Sequence, residues 1–244
     1  MITIVLGMHR SGTSTLAGVL HLNKISMGTY KNFWPRPLDQ NPKGFYENYE
    51  FRKINDLLLQ EVGYYVKSYK TIIPILKPSK KRLVEMEKLV LKSNQDFENW
   101  GWKDPRTCLT INVWMDTIKK IKLEKEVKII FVSRNALSVS RSLKKRNDLP
   151  IEIGLEIWKA YTEKALKFCQ NLNTNIFYCS FEQLLERPNS TCEKLFNFLD
   201  TDWDSKVIQK FIDKDISTSG KGKEVEIPEE IKTLQKRINN LLSI

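Results

Sequence analysis

Residues 7–14, Gly-Met-His-Arg-Ser-Gly-Thr-Ser, have the types and the spacing of a loop that binds a phosphate group. They follow a short β-prone apolar run and precede a stretch of helical composition. The backbone N–H groups of such a loop and the dipole of the following helix attract an anion. The spacing of Gly7 and Gly12 fits a Walker A loop, but Thr13 stands where a nucleoside triphosphatase has lysine. Arg10 supplies a cation inside the loop instead, so the sequence predicts phosphate binding without ordinary nucleoside triphosphate chemistry.

A second group of the phosphate-binding type follows the β-prone run 127–132. Arg134 comes just after this run, and Ser142 lies within the helix predicted to follow it. Because an α-helix rises about 1.5 Å per residue, Ser142 is expected roughly two turns into that helix. The guanidinium of Arg134 and the hydroxyl of Ser142 can then hold one phosphate group from two sides. Ser138 and Arg141 on the same helix are alternative partners.

A third polar cluster, Lys103-Asp104-Pro105-Arg106, ends the predicted strand 98–103. An aspartate before a proline is well suited to cap the amino end of a helix, so Asp104 is predicted to cap the next one. Lys103 and Arg106 would then remain free to face an anion. Ligand sites of parallel sheets lie beyond the carboxyl ends of the strands, so all three polar groups are predicted to converge there.

These motifs resemble those of the sulfotransferases that use PAPS, 3′-phosphoadenosine 5′-phosphosulfate. The run from Arg10 to Ser14 matches the loop that binds the 5′-phosphosulfate in that family. Arg134 and Ser142 are similar in spacing to the pair that binds the 3′-phosphate. The resemblance extends from residue 2 to residue 200 and includes Phe181, which is expected either near the adenine or in the core. It implies the following donor-binding residues: His9, Arg10, Ser11, Gly12, Thr13, Ser14, Arg134 and Ser142.

The same resemblance implies that a sulfuryl group passes in line from PAPS to a hydroxyl or amine acceptor. PAP, adenosine 3′,5′-bisphosphate, is then the product. Positioning and electrostatic stabilisation dominate transfers of this kind. Arg10 is expected to stabilise the charge that grows on the leaving phosphate, and Lys103 the sulfuryl oxygens. No metal ion is required, and no carboxylate cluster in the sequence offers one a site.

Glu47, in the aromatic loop 32–48, is the expected catalytic base, because glycan and tyrosine sulfotransferases have a catalytic glutamate in the corresponding region. A solvated loop glutamate is the alternative interpretation, and Glu50, Asp104 and His9 are further candidate bases. Small-molecule sulfotransferases of the cytosol have a Lys-x-His segment, and this chain has proline in place of that histidine. The departure favours a carbohydrate acceptor, such as a glycan or a glycolipid. The aromatic side chains of the loop either stack on a sugar or close over the core.

The elements that must position these residues alternate between strand and helix. Strands are predicted at 2–6, 98–103, 127–132 and 175–179. Helices are predicted after Pro105 and Arg134 and at 14–22, 51–62, 79–94, 153–172, 190–199, 204–213 and 228–242. This alternation predicts an α/β fold with three α/β/α layers around a central parallel sheet. The resemblance implies that this fold is of the P-loop NTPase-like sulfotransferase type. No linker or repeat interrupts the chain, so a single domain over 1–244 is expected.

The composition sets broader limits. The chain has 244 residues with a formal net charge of +11 and a mean hydropathy of −0.40. A lysine-rich solvated surface accounts for this charge, and anionic ligands are the alternative explanation. The four cysteines lack metal-ligand spacing, which predicts buried thiols. Neither a leader nor an apolar run long enough to span a membrane is apparent, so the chain is expected in the cytoplasm.

Two other function classes fit part of the sequence. A P-loop kinase-like nucleotide enzyme accounts for the strand–loop–helix start, but not for Thr13 in place of lysine. A basic nucleic-acid-binding module accounts for the charge, but the chain has no recognition-helix or zinc-finger pattern, so no nucleic-acid partner is expected. A family member that binds PAPS without turnover, the identity of the acceptor and the oligomeric state remain open. Residues 219–223 are predicted as a basic turn that weakly resembles the loop closing over the donor in some members.

Overall fold

A computed structural model describes residues 1–38, 41–172, 176–212 and 225–242. Its centre is a parallel sheet of four strands in the order β2-β1-β3-β4. The register places Ile4 of β1 opposite Trp102 of β2 and Ile129 of β3. The strands are β1 (Ile2–Leu6), β2 (Trp100–Lys103), β3 (Val127–Ser133) and β4 (Ile176–Ser180).

Helices connect the strands and cover both faces of the sheet, which confirms the predicted α/β class. Side chains of a strand alternate between the two faces. Ile2, Ile4 and Leu6 of β1 belong to a core cluster on one face, whereas Val5 belongs to a cluster on the other. In the described part of the chain the helices are α1 (Thr13–Leu22), α2 (Tyr49–Gln60), α3 (Lys80–Asp96), α4 (Thr107–Lys120), α5 (Ala136–Asn147), α6 (Ile151–Gln170), α7 (Phe181–Glu186), α8 (Pro188–Leu199), α9 (Ser205–Phe211) and α10 (Glu229–Leu242).

The two core clusters define the layers of the fold. Helices α2 to α6 and α10 pack on the face of Ile4, and α1, α8 and α9 pack on the face of Val5. An aromatic stack anchors the larger cluster, with the Phe51 ring of α2 lying 4.6 Å from the Trp102 ring of β2 and nearly parallel to it. Trp114 of α4 joins the same stack. The stack therefore fixes α2 and α4 against the strand whose carboxyl end bears Lys103.

Local capping accompanies two of the differences between the observed and the predicted elements. Helix α2 begins at Tyr49, two residues earlier than predicted, because the Asn48 side chain accepts a hydrogen bond from the N–H of Glu50 (3.0 Å). Downstream of β4, a short helix α7 precedes α8. Ser180 and Gln183 form a capping box at its start. Residues 175 and 219–223, which carry parts of the predictions, lie outside the described residues.

Two further sequence predictions concern thiols and membrane segments. Cys108, Cys169, Cys179 and Cys192 are all free and buried, as predicted. Within the described ranges, no helix combines the length and apolar composition needed to span a bilayer.

Candidate active site

The carboxyl ends of the strands open into one pocket of about 560 Å³. This size falls within the range of ordinary ligand pockets. The loop after β1, Lys103 at the end of β2, and Arg134 after β3 all line it. The structure thus brings the three predicted polar groups together. The lining residues include His9, Arg10, Gly12, Thr13, Ser14, Phe45, Glu47, Arg52, Lys103, Arg106, Arg134, Ser142, Lys145, Arg146 and Phe181.

The loop between β1 and α1 has a backbone shape that requires glycine. Gly12 has φ +82, in the left-handed region that most side chains avoid. A Cβ atom there would lie 2.1 Å from Cδ2 of Phe181, so the ring occupies the space that a side chain would need. Helix α1 begins at the next residue, and its first N–H groups have no carbonyl partner within the helix. Thr13 and Ser14, which carry two of these groups, line the pocket.

Arg10 ties the loop to the Arg134–Ser142 pair. Its Nε donates to Oγ of Ser142 (2.8 Å), and its carbonyl oxygen accepts from Nη1 of Arg134 (3.0 Å). Arg10 also has a left-handed backbone, with φ 69, which is uncommon for a residue with a side chain. The Arg134 guanidinium lies over the Phe181 ring, 4.6 Å from its centroid. Phe181 is therefore packed between Gly12 and Arg134 and also lines the pocket, so both roles predicted for it stay predictions.

Glu47 and Lys103 form a buried ion pair beside the same loop. Lys103 Nζ donates to Oε1 of Glu47 at 2.8 Å and to Oγ of Ser14 at 3.2 Å. Lys103 is 1% exposed and Glu47 is 7% exposed. Arg52 on α2 lies 3.8 Å from the second oxygen of Glu47. The interpretation of Glu47 as a solvated loop residue is therefore wrong.

Arg106 does not remain free, in contrast to the sequence-based expectation. Its Nη1 donates to Oδ1 of Asp104 (2.7 Å), and its Nε donates to Oδ1 of Asp56 on α2 (2.6 Å). Burial opposes the charged form, but the two carboxylates raise the pKa of Arg106 above its ordinary value. Asp104 also accepts from the N–H of Arg106 (3.2 Å), but the cap residue of α4 is Arg106, without a side-chain capping bond, so the predicted cap at Asp104 is wrong. The other oxygen of Asp104 accepts from the side-chain amide of Asn55.

Asn55 is a buried hub that the sequence did not reveal. Its Nδ2 donates to Asp104 (2.8 Å) and Thr107 (3.1 Å), and its Oδ1 accepts from Thr110 and Trp114, each at 2.7 Å. The amide nitrogen of Asn55 thus donates two hydrogen bonds and its amide oxygen accepts two, as burial of this side chain requires. An apolar helix pattern gives no signal for such a residue. The hub fixes the segment after β2 and, through it, Lys103.

The three alternative bases are poorly placed to accept a proton. Asp104 is engaged by Arg106 and Asn55, and Glu50 is exposed in the first turn of α2. His9 lines the pocket. Burial, followed by the charges of Arg106, Arg146, Lys103 and Arg10, holds its pKa well below the usual value. A histidine with so low a pKa is neutral at pH 7 and is a weak base. Its Nε2 is buried without a hydrogen-bond partner among the described residues.

Arg52, Lys145 and Arg146 also line the pocket, although the motifs did not point to them. Arg146 lies four residues after Ser142 on α5, so helical spacing from Ser142 was a usable signal. Burial lowers the pKa of Arg146. Burial, together with Arg146 and Arg134, lowers the pKa of Arg10 to about 10. Mutual repulsion among these cations favours a bound anion.

The aromatic side chains of the loop before α2 divide between the two roles left open. The rings of Phe33 and Tyr46 pack against each other and against His21 of α1, closing over the core. Trp34, by contrast, is 50% exposed. Phe45 lines the pocket. Of these four rings, Phe45 is therefore placed to contact a ligand, and Trp34 is exposed next to Pro35, which also lines the pocket.

The hydrogen-bond donors and cations that line the pocket fit a nucleotide that bears two anionic groups. The amino terminus of α1 and Lys103, which contacts Ser14, follow β1 and β2, and Arg134 and Ser142 follow β3, where Arg10 contacts both of them. Glu47 is the single carboxylate among the lining residues described, against several arginines and lysines. The described residues hold no group of histidine, cysteine, aspartate and glutamate side chains arranged to bind a metal ion. The chemistry of this site is anion binding next to one buried carboxylate.

Several solved structures have the same fold. The sulfotransferase domain from the Synechococcus PCC 7002 olefin synthase superposes with a TM-score of 0.64 at 14% identity, over 98% of this chain and 94% of that one. The sulfotransferase domain from the curacin biosynthetic pathway superposes with a TM-score of 0.61 at 16% identity, over 99% of this chain and 97% of that one. Sulfotransferase STF9 from Mycobacterium avium superposes with a TM-score of 0.50 at 13% identity, over 99% of this chain and 76% of that one.

Sequence comparison assigns the family. No curated protein sequence matches the chain significantly. Residues 3–205, however, match the model of the sulfotransferase family, and this range contains every site residue described above. The chain belongs to the sulfotransferase family.

Proposed function

We propose that this sulfotransferase takes its sulfuryl group from PAPS and transfers it to a hydroxyl, or an amine, of a carbohydrate acceptor such as a glycan or glycolipid. The observation that carries the proposal is the buried Glu47–Lys103 pair beside the anion-binding loop, with Arg134 and Ser142 in the same pocket. The family assignment argues against the kinase and nucleic-acid alternatives.

The donor would be held at two places. The N–H groups at the start of α1, with Arg10, would bind the 5′-phosphosulfate. Arg134 and Ser142 would bind the 3′-phosphate. The other proposed binding residues are His9, Gly12, Thr13 and Ser14, which line the pocket, and Ser11, which is 1% exposed and does not line it. PAPS, when bound, supplies an activated sulfuryl group whose departure leaves charge on the 5′-phosphate. Arg10 would stabilise this charge, in addition to its contacts with Ser142 and Arg134.

Glu47 would act as the base. An acceptor hydroxyl must lose its proton as the new sulfur–oxygen bond forms, and the carboxylate of Glu47 would accept that proton. Lys103 donates a hydrogen bond to this carboxylate at 2.8 Å and so holds it in place beside the anion-binding loop. The same ammonium would stabilise the sulfuryl oxygens. Catalysis would therefore depend on Glu47, Lys103 and Arg10, without a metal ion.

Three further parts of the proposal concern the acceptor and the setting. A carbohydrate is supported by the proline that replaces the histidine of the small-molecule branch, and by the exposed Trp34, whose neighbour Pro35 lines the pocket. We propose one catalytic domain over 1–244, of which the family match covers most. We also propose a cytoplasmic location, which is supported by four cysteines that form no disulfide.

The test is calorimetric titration with PAP, and with ADP and ATP as controls. We expect PAP to bind at least tenfold more tightly than either control, because only PAP has a 3′-phosphate. Arg134→Ala should weaken PAP binding roughly 10- to 100-fold, since a charge-assisted hydrogen bond contributes about 1.5–3 kcal/mol. The same variant should leave AMP affinity unchanged.

Arg237→Ala is the matched control, because Arg237 is exposed on α10 and contacts Gln170 instead of the pocket. It should bind PAP as the wild type does. Preferential binding of ATP, or equal losses of PAP and AMP affinity in Arg134→Ala, would refute the assigned donor site.

A further inference from the structure

Residues 62–84, here called the basic segment, combine positive charge with exposed aliphatic side chains. The segment contains no aspartate or glutamate. Its exposed lysines are Lys67, Lys70, Lys77, Lys80 and Lys81. Arg82, its remaining cation, is buried and paired with Glu61 and Glu85 on the protein. The five lysines therefore supply a net positive surface that nothing within the segment neutralises.

The aliphatic side chains of the segment divide between core and solvent. Ile73 and Leu76 pack against the main core cluster. Ile72 and Ile75 are 85% and 81% exposed, more than any other large apolar side chain in the described ranges. Tyr65, earlier in the segment, is 58% exposed. A single exposed apolar residue is ordinary, but two isoleucines projecting from one anchored stretch, flanked by lysines, form an apolar tip with a cationic rim.

We propose that the basic segment docks the protein onto an anionic lipid bilayer. Ile72 and Ile75 would enter the boundary between headgroups and acyl chains, and the lysines would contact anionic headgroups. This arrangement of aliphatic tip and basic rim suits a bilayer, which offers an apolar layer directly beneath its charge. A nucleic acid offers aromatic base faces and phosphates, and isoleucine has no stacking surface for the former.

The basic segment is connected to the pocket by a short chain of contacts. The hydroxyl of Tyr64 donates to the carbonyl oxygen of Lys70 at 2.9 Å. The hydroxyls of Tyr64 and Tyr161 are hydrogen-bonded, and the Tyr161 ring meets the His9 ring edge-on at 5.7 Å. Docking would therefore hold the pocket close to the membrane surface. Delivery of a lipid-borne acceptor to that pocket rests on the proposed function, whereas docking itself does not.

The experiment is co-sedimentation of the full chain with two vesicle types. One is phosphatidylcholine alone, and the other is equal parts phosphatidylcholine and phosphatidylglycerol. We expect binding to the anionic vesicles and little binding to the neutral ones. Ile72→Ser with Ile75→Ser should weaken binding roughly tenfold or more, since each isoleucine loses apolar burial. Lys77→Gln with Lys80→Gln should weaken it about fivefold per lysine.

Lys119→Gln with Lys122→Gln is the matched control. It removes the same charge from exposed residues at the end of α4, which leads back to the amino-terminal edge of the sheet. This variant should bind the anionic vesicles nearly as the wild type does. PAP titration of every variant reports on the fold and on the donor site independently of vesicle binding.

Four results would overturn the proposal. They are absence of binding to the anionic vesicles, no effect of the isoleucine changes, equal losses in the control variant, and tighter binding to a single-stranded oligonucleotide than to the vesicles. Each can occur while PAP still binds, so failure of the docking proposal is distinct from failure of the proposed donor site.

Discussion

Glu47 and Lys103 illustrate how two residues on separate elements define chemistry that neither has alone. Removing both charges from water is unfavourable, and their close contact offsets that cost. Lys103 is 1% exposed and Glu47 is 7% exposed. Further contacts stabilise the buried pair, because Lys103 also donates to Ser14 and Arg52 lies near Glu47. These contacts fix the carboxylate of Glu47 in a pocket whose other charged lining residues are cationic. It is therefore positioned to accept a proton beside a bound anion.

The substitution Glu47→Gln tests whether the carboxylate of Glu47 accepts the proton of the acceptor. The amide keeps the shape of the side chain but cannot accept a proton, so turnover with PAPS and a glycan acceptor should fall roughly 100- to 10,000-fold. PAP affinity should stay equal or rise, because a negative charge has left the pocket. The measurements are the rate of PAP release and the PAP dissociation constant. Glu50→Gln, a change of the exposed neighbour, should leave both near wild type; full activity in Glu47→Gln would move the base elsewhere.

At the scale of elements, the loop between β1 and α1 is shaped by packing against the first residue of α7. Phe181, the first residue of α7, fills the space next to Gly12, and Arg134 covers the other side of its ring. The loop is thus held by an element that lies far along the chain. Similarly, Asn55 of α2 holds the start of α4 and so sets the end of β2. Elements distant in sequence fix the backbone on which the site residues stand.

Gly12→Ala should be far more damaging than the same change at Gly63. Both glycines have a left-handed backbone, with φ +82 and φ +71. The backbone alone should cost about 1–2 kcal/mol at each position. At Gly12 the new Cβ would also meet the Phe181 ring, which adds about 1–3 kcal/mol, whereas at Gly63 no atom lies within 4 Å.

Urea unfolding of the two variants measures this difference. Gly12→Ala should also lose PAP affinity, because a shifted Phe181 displaces Arg134. Similar stabilities for the two variants would show that Phe181 yields without cost and that the loop is less tightly packed than described.

Across the whole molecule, the sequence predicted the class of the fold because strands and helices carry local signals. The four strands, the parallel sheet and the convergence of loop, Lys103 and Arg134 follow from alternation of elements and from the geometry of parallel sheets. The start of α2 differs from the predicted residue because Asn48 caps this helix. The resemblance to the sulfotransferases was confirmed by the family match.

What the sequence did not predict depends on contacts between distant residues. Arg106 was expected to be free, but Asp56 on α2 and Asp104 both bind it, and no local pattern announces the first of these partners. The burial of Glu47 likewise depends on Lys103, which belongs to another element. Arg52 and Arg146 carry no motif of their own. Ion pairs of this kind form only when helices and loops distant in sequence pack against the sheet.

The four buried cysteines have a practical consequence for following how this protein opens. Cys108 and Cys169 lie in the core on one face of the sheet, and Cys179 and Cys192 lie in the core on the other. Burial raises the pKa of Cys108, Cys169 and Cys192 to about 12, and raises that of Cys179 as well. Since only a solvent-accessible thiolate is alkylated, iodoacetamide should modify none of them in the native state.

Each thiol is therefore a kinetic reporter of exposure for its own layer. Mass spectrometry of alkylation at increasing urea should show whether the two cores open together, with one rate for all four sites, or one layer before the other, with a different rate for each pair. Rapid alkylation of any of the four without denaturant would contradict the packing on that face. The unmodified chain carries its own pair of probes on each side of the sheet, so the order of events can be followed without adding a label.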